Sequence, residues 1–196
     1  KPETIDQMRR YFEQRGYCVE IGVNALASFG EYAGTAQERA DDFNSMVLNP
    51  QVKMIMTSHG GAGADQLLPL IDYEAISSHP KIIVGLSDPS VILNSVSCTS
   101  NIPTFHGPNG HEFGGDDPLT PFTERNFWPL VSQNIPLPYT FPIGDKVQVV
   151  RQGAPQQGIL YGGNMEAVRS LLGTPWEPDW MNVVLFLEDA VFRVFR

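Results

Sequence analysis

A chain of 196 residues with 42% hydrophobic and 18% charged content has an ordinary globular composition, enough for one sizeable core or one domain and part of another. Its formal charge of −9 argues against nucleic acid and an anionic membrane surface as partners, because both require a basic face. No apolar run nears the roughly 20 residues that cross a bilayer, and Cys18 and Cys98 are too few for a disulfide framework and lack metal-ligand spacing. Both read as buried structural thiols of a reducing, cytoplasmic protein.

In chain order, Ile5, Met8 and Phe12 recur at helical spacing and predict a helix from about Thr4 to Arg15, stopped by Gly16. Tyr17–Ile21 then reads as a strand. Thr35-Ala36-Gln37-Glu38 has the form of a capping box, with Ala40, Phe43, Met46 and Val47 on one helical face behind it. Asn49-Pro50 closes that helix. Val52–Thr57 is an apolar run of strand length, broken by the glycine-rich turn Ser58–Gly63. Gln66–Ser77 resumes a helical pattern, and the β-branched run Lys81–Val84 suits a strand buried on both faces. Gly85-Leu86-Ser87-Asp88 ends it, and Pro89–Cys98 follows as a helix.

Ile102–Phe105 predicts another short strand, ending in His106-Gly107-Pro108. Asn109–Thr120, rich in glycine and acid, reads as an exposed loop, Pro121–Ser132 as a helix, and the prolines of Asn134–Pro142 as an extended linker. Gly158–Asn164 reads as a turn into a helix through Leu172, and Val183–Leu187 as a buried strand ending at Glu188-Asp189. Helices alternating with β-branched strands imply a parallel, doubly wound α/β sheet. The domain division that follows is 1–140, a linker over 141–157, and part of a smaller α/β domain over 158–196.

In such a sheet ligands gather at the carboxyl ends of the strands. Gly60–Gly63 and Ser87–Asp88 are two such ends and should face one crevice, the first offering bare backbone N–H groups and the second a hydroxyl. The glycine turn lacks the Lys-Ser/Thr of a P-loop and the G-x-G-x-x-G order of a dinucleotide fold. It reads either as a tight turn or as an oxyanion site. Ser87 reads either as a helix cap or as a nucleophile on a sharp turn, although Pro89 stands where a G-x-S-x-G elbow has glycine. His59 and His106 sit at strand ends on the same side; His79 and His111 fall in loops. Glu188 and Asp189 end a strand, as solvated carboxylates or as the orienter of an imidazole.

Taken together, Glu38–Val52, His59–Gly63, Gln66–Tyr73, His79–Asp88, Thr104–Pro108, Leu160–Asn164, Leu171–Pro175 and Leu185–Asp189 resemble the LD-carboxypeptidase family of serine peptidases. That family includes muramoyltetrapeptide carboxypeptidases and microcin C immunity peptidases. The resemblance implies a flavodoxin-like or Rossmann-like N-terminal sheet carrying the nucleophile Ser87, and a C-terminal domain carrying the catalytic Glu188. It implies an oxyanion hole from Gly60, Gly61 and the Asp88 N–H, with His59, His106 and Asn164 contacting a small peptide substrate. It implies no metal or other cofactor and a homodimer.

Leu86 replaces the usual Tyr before the serine, Ala62 replaces a usual Tyr or similar residue, and His59 stands where many carboxypeptidases have Arg. These departures reshape the pocket and leave room for two further readings. One is an aminoacyl-nucleotide hydrolase in which Trp128 stacks a base, and the other a non-catalytic ligand module. The family's first strand precedes the position of Lys1, and its catalytic histidine lies well downstream of the glutamate. None of the four histidines occupies that place, so the 196 residues alone are expected to be inactive or nearly so.

Overall fold

Alternating burial along two short strands sets up the three layers. In the computed structural model, which describes residues 2–114, 119–132 and 148–189, β1 (Met54–Met56), β2 (Ile82–Gly85) and β3 (Phe105–His106) pair in parallel in that order. Ile55 and Ile83 point to one face and Met54, Met56, Ile82 and Val84 to the other, the period-2 pattern of a pleated strand. The first face is covered by α2 (Ala36–Leu48), a 3₁₀ segment (Ala64–Leu70), α3 (Tyr73–Ser78) and α4 (Ser90–Ser100). The second is covered by α1 (Pro2–Glu13) and α5 (Pro121–Ser132), through an aromatic cluster of Phe12, Phe113 and Phe127. Ile76, Ile83 and Val84 are at most 1% exposed, each such burial being worth about 1.5–3 kcal/mol.

The α2 start is as expected: Thr35 Oγ1 accepts from the Glu38 N–H at 3.2 Å and Glu38 accepts from the Thr35 N–H at 2.7 Å. The helix expected over Thr4–Arg15 begins earlier, at Pro2, and ends at Glu13, with Gly16 left-handed at φ +85° behind it. The strand expected at Tyr17–Ile21 does not form. Gly16–Glu20 line a cavity of about 800 Å³ together with Gln51–Met54, and Glu20–Gly22 one of about 470 Å³ together with Met54–Ser58, and the segment joins no ladder.

A second sheet pairs β4 (Ile159–Asn164) with β5 (Val183–Glu188) in parallel, with α6 (Met165–Arg169) after β4. The turn expected at Gly158–Asn164 is therefore a strand, and α6 is shorter than the helix expected through Leu172. Nor is β5 buried, since Val184, Leu185, Phe186 and Leu187 are 42–51% exposed. Among the described residues α4 and α6 pack on β4. The third strand sits at Phe105–His106 rather than Ile102–Phe105.

Asn109–Phe113 is not an exposed loop: Asn109 and Phe113 are buried and Gly110–Phe113 forms a 3₁₀ turn behind an Asn109–Glu112 capping box. Cys18 is exposed and Cys98 half-buried, against the expected burial of both. The linker expected at Asn134–Pro142 lies outside the described residues. From 148 to 158 the chain has no helix or strand.

Candidate active site

The turn after β2 is built around Ser87, whose backbone is left-handed at φ +69°. For a residue with a Cβ this costs about 1–2 kcal/mol. Ser87 C=O accepts from the Ser90 N–H at 2.8 Å, closing the turn into α4. Gly85 allows it: a Cβ there would lie 2.8 Å from Pro89 Cβ and 2.9 Å from Thr57 Oγ1.

Buried Asn109 pins the approach to this turn. Its Oδ1 accepts from Leu86 N–H at 3.1 Å and from the Thr57 hydroxyl, and its Nδ2 donates to Leu86 C=O at 3.3 Å. Asn109→Ala strands the Leu86 amide and should cost about 1–3 kcal/mol, read as a lower urea midpoint with an unchanged m-value. An unchanged midpoint would show that Asn109 does not hold the turn.

The glycine turn lies against the serine. A Cβ on Gly60 would sit 3.0 Å from Ser87 Cβ and 3.3 Å from Ser87 Oγ, so a side chain there would crowd the serine. Among the described residues the Gly60, Gly61 and Asp88 N–H groups have no intramolecular acceptor. Arg39 of α2 steadies the end of the turn, with Nη1 donating to Gly63 C=O at 3.1 Å and the guanidinium over the Tyr32 ring.

The Asp88 carboxylate turns inward and accepts from the Ala64 N–H at 2.8 Å. Burial pushes its pKa up, against the lowering effect of that bond, and Asp65 adds a smaller upward push. A raised pKa means that the folded state holds the proton more tightly. Asp88 therefore favours folding at acid pH, below the unfolded carboxylate range, and that contribution is lost as pH rises through the native value. Asp88→Asn keeps an acceptor for Ala64, so it should raise the urea midpoint at pH 7 and give no gain near pH 3. A lowered midpoint at pH 7 would contradict this balance.

The second sheet meets the first at this end. Asn94 Oδ1 accepts from Gly162 N–H at 3.0 Å and its Nδ2 donates to Gly162 C=O at 2.7 Å, while Asn164 N–H donates to Ser90 Oγ at 3.0 Å. Glu188, in register with Asn164, reaches His106, itself in register with Gly85. His106 Nε2 and Glu188 Oε1 are 3.6 Å apart. Burial lowers the His106 pKa, and the Glu188 charge partly restores it.

The predicted residues fall into three groups. Ser87, Gly60, Gly61 and the Asp88 N–H meet at two neighbouring strand tips. Glu188 and His106 pair across the two sheets, and Asn164 caps α6, its Oδ1 accepting from Ala167 N–H at 3.2 Å. His59 stacks on His111 with centroids 4.3 Å apart and borders a cavity of about 470 Å³ that Gly60, Gly61 and Asp88 also line, whereas Ser87, His106, Glu188 and Asn164 do not. Among the described residues no hydrogen bond joins Ser87 to an imidazole. Trp128 belongs to the aromatic core, its N–H donating to Tyr11 Oη at 3.2 Å and its ring stacked on Tyr17. Asn94, Asn109 and Arg39 carried no motif that would have marked them. No cluster of three or more metal-ligating side chains, and no helix long and apolar enough to cross a membrane, occurs among the described residues.

A parallel sheet covered by helices on both faces, with a left-handed serine at one strand tip and a glycine turn beside it, has the layout of α/β proteins that carry a strand-tip nucleophile. The chain belongs to the LD-carboxypeptidase family: its residues 1–107 match that family's N-terminal domain and residues 157–196 its C-terminal domain. It is 31% identical to a probable murein peptide carboxypeptidase of Bacillus subtilis (strain 168), over 96% of this chain and 58% of that protein. It is 28% identical to the microcin C7 self-immunity protein MccF of Escherichia coli, over 96% of this chain and 64% of that protein. A solved structure of MccF in complex with aspartyl sulfamoyl adenosine superposes with a TM-score of 0.82 at 26% identity, over 95% of this chain and 63% of that one. The chain thus spans less than two thirds of the length of these relatives.

Proposed function

We propose that this chain supplies the nucleophile, the oxyanion amides and the orienting carboxylate of a serine-type LD-carboxypeptidase, acting on the amide next to a terminal carboxylate in murein-type peptides. The Ser87 hydroxyl attacks the scissile carbonyl, and its proton passes to the imidazole that the family places downstream of Glu188. Gly60, Gly61 and Asp88 N–H groups hold the tetrahedral oxyanion. Collapse returns the proton to the departing amine and releases the terminal residue, and water then hydrolyses the Ser87 ester. Glu188 keeps the imidazole in the tautomer that accepts from serine. His59 and Asn164 contact the peptide at the rim. The division into 1–140, 141–157 and 158–196 is part of this reading, with the nucleophile on the first segment and the carboxylate on the last.

The observation that carries the reading is the left-handed Ser87 packed against a glycine turn whose amides have no internal acceptor. An aminoacyl-nucleotide amide is the second candidate substrate, favoured by the similarity to MccF. Its base would need a platform other than Trp128, which is committed to the core. Mass spectrometry of a chain extended to carry that downstream imidazole, incubated with a murein tetrapeptide and, separately, with an aminoacyl-nucleotide amide, decides between them. Release of the terminal residue from the tetrapeptide is expected. Calorimetric binding unchanged by Ser87→Ala, with no product from either compound, would instead make the protein a ligand-binding module.

A further inference from the structure

We propose that His106 is the positioning residue for the Glu188 carboxylate, holding it from the N-terminal sheet; the proposal rests on the catalytic reading of Glu188. The two side chains come from different sheets and meet at 3.6 Å between Nε2 and Oε1. Both facing atoms are shut off from solvent, and neither has a hydrogen-bond partner among the described residues. A buried carboxylate oxygen without a donor is costly, and a single N–H aimed at it is the least expensive remedy. The carboxylate therefore selects the tautomer with the proton on Nε2.

The imidazole is itself confined. Its edge meets the Phe186 ring with centroids 5.4 Å apart at 70°. Its Cδ2 lies 3.0 Å from where a Cβ of Gly163 would be, at a backbone φ of +124°. That imaginary Cβ would also sit 2.4 Å from Ser90 Oγ, so the glycine is what lets β4 close against both side chains. These contacts restrict the ring, and Nε2 is the donor nearest Glu188 Oε1. A modest approach from 3.6 Å would close the hydrogen bond, fixing the carboxylate rotamer and leaving its other oxygen for the imidazole that activates Ser87. His106 does not touch the reacting atoms in this scheme; it acts through Glu188.

Two measurements on the full-length protein test this. In the first, NMR of the His106 ring should show the Nε2–H tautomer, and Glu188→Gln should lower its titration midpoint, because Glu188 is the charge that raises it. An Nδ1–H ring, or a midpoint unmoved by Glu188→Gln, would overturn the proposal. This readout needs no turnover, so it stands apart from the proposed activity. In the second, His106→Ala should lower kcat about 10- to 100-fold, the usual cost of losing an outer-shell partner, with KM within twofold. His106→Gln, which can place an amide N–H near the same point, should recover most of it. An unchanged kcat, or a loss confined to KM, would rule the positioning role out. If the unaltered protein releases nothing from any murein peptide, the catalytic reading fails while the ring titration still decides whether the pair exists.

Discussion

Replacing Ser87 by alanine should lower kcat for tetrapeptide hydrolysis by about six orders of magnitude while leaving KM within a few-fold, the loss expected when a nucleophile is deleted from a serine hydrolase. The residual rate would come from the oxyanion amides and from substrate binding. Ser87→Gly separates chemistry from backbone strain. It removes the hydroxyl and also the left-handed penalty of about 1–2 kcal/mol, against an added chain entropy cost of about 0.5–1 kcal/mol. The glycine variant should therefore be inactive yet at least as stable as the parent in urea. A glycine variant that loses stability would mean that the Ser87 side chain contributes packing rather than chemistry. Substantial turnover in either variant would remove Ser87 from the reaction.

Glu188→Gln carries the second large effect. The amide keeps the size of the side chain but removes the charge that stabilises an imidazolium, and it offers a donor as readily as an acceptor. A triad acid replaced by its amide costs about 10⁴ in kcat, and that is the loss expected here, with KM little changed. Glu188 is suited to this role because β5 pairs with β4 in parallel and ends at the strand tips that also bear Asn164 and the Ser90–Asn164 contact. A loss of less than tenfold would make Glu188 a structural partner of His106 and nothing more.

What could be read from the residues was local or two-sided. Val52–Thr57 and Lys81–Val84 were legible as strands because the sheet is buried on both faces, which leaves continuous apolar runs. The Thr35–Glu38 capping box involves residues three apart and needs no tertiary information. Tyr17–Ile21 has the composition of a strand, but a strand exists only in a ladder, and this segment joins none, lining cavities together with the β1 residues instead. Gly158–Asn164 resembled a turn because Gly162 and Gly163 are adjacent. Both have positive φ inside β4, and a side chain on Gly162 would collide with the Phe186 backbone. The apolar run of β5 promised burial, yet among the described residues both faces of Val184–Leu187 are exposed.

At the site, the serine and the glycines announced themselves by falling at strand ends, whereas their supports did not. Asn109 sat in a stretch that looked like solvent-exposed loop, and its three contacts to Thr57 and Leu86 depend wholly on where the chain returns. The same is true of Asn94, an ordinary helix residue until β4 lies across it. The facing of His106 and Glu188 needs two sheets to be docked, and no spacing within the sequence encodes it.

The most direct test of a shared oxyanion site is a crystal structure of the protein with a peptide boronic acid. The account predicts a covalent Ser87 Oγ–boron bond, with a boronate oxygen within about 3 Å of the Gly61 and Asp88 amide nitrogens. A boronate bound elsewhere, or one on Ser87 whose oxygens point away from the glycine turn, would contradict it.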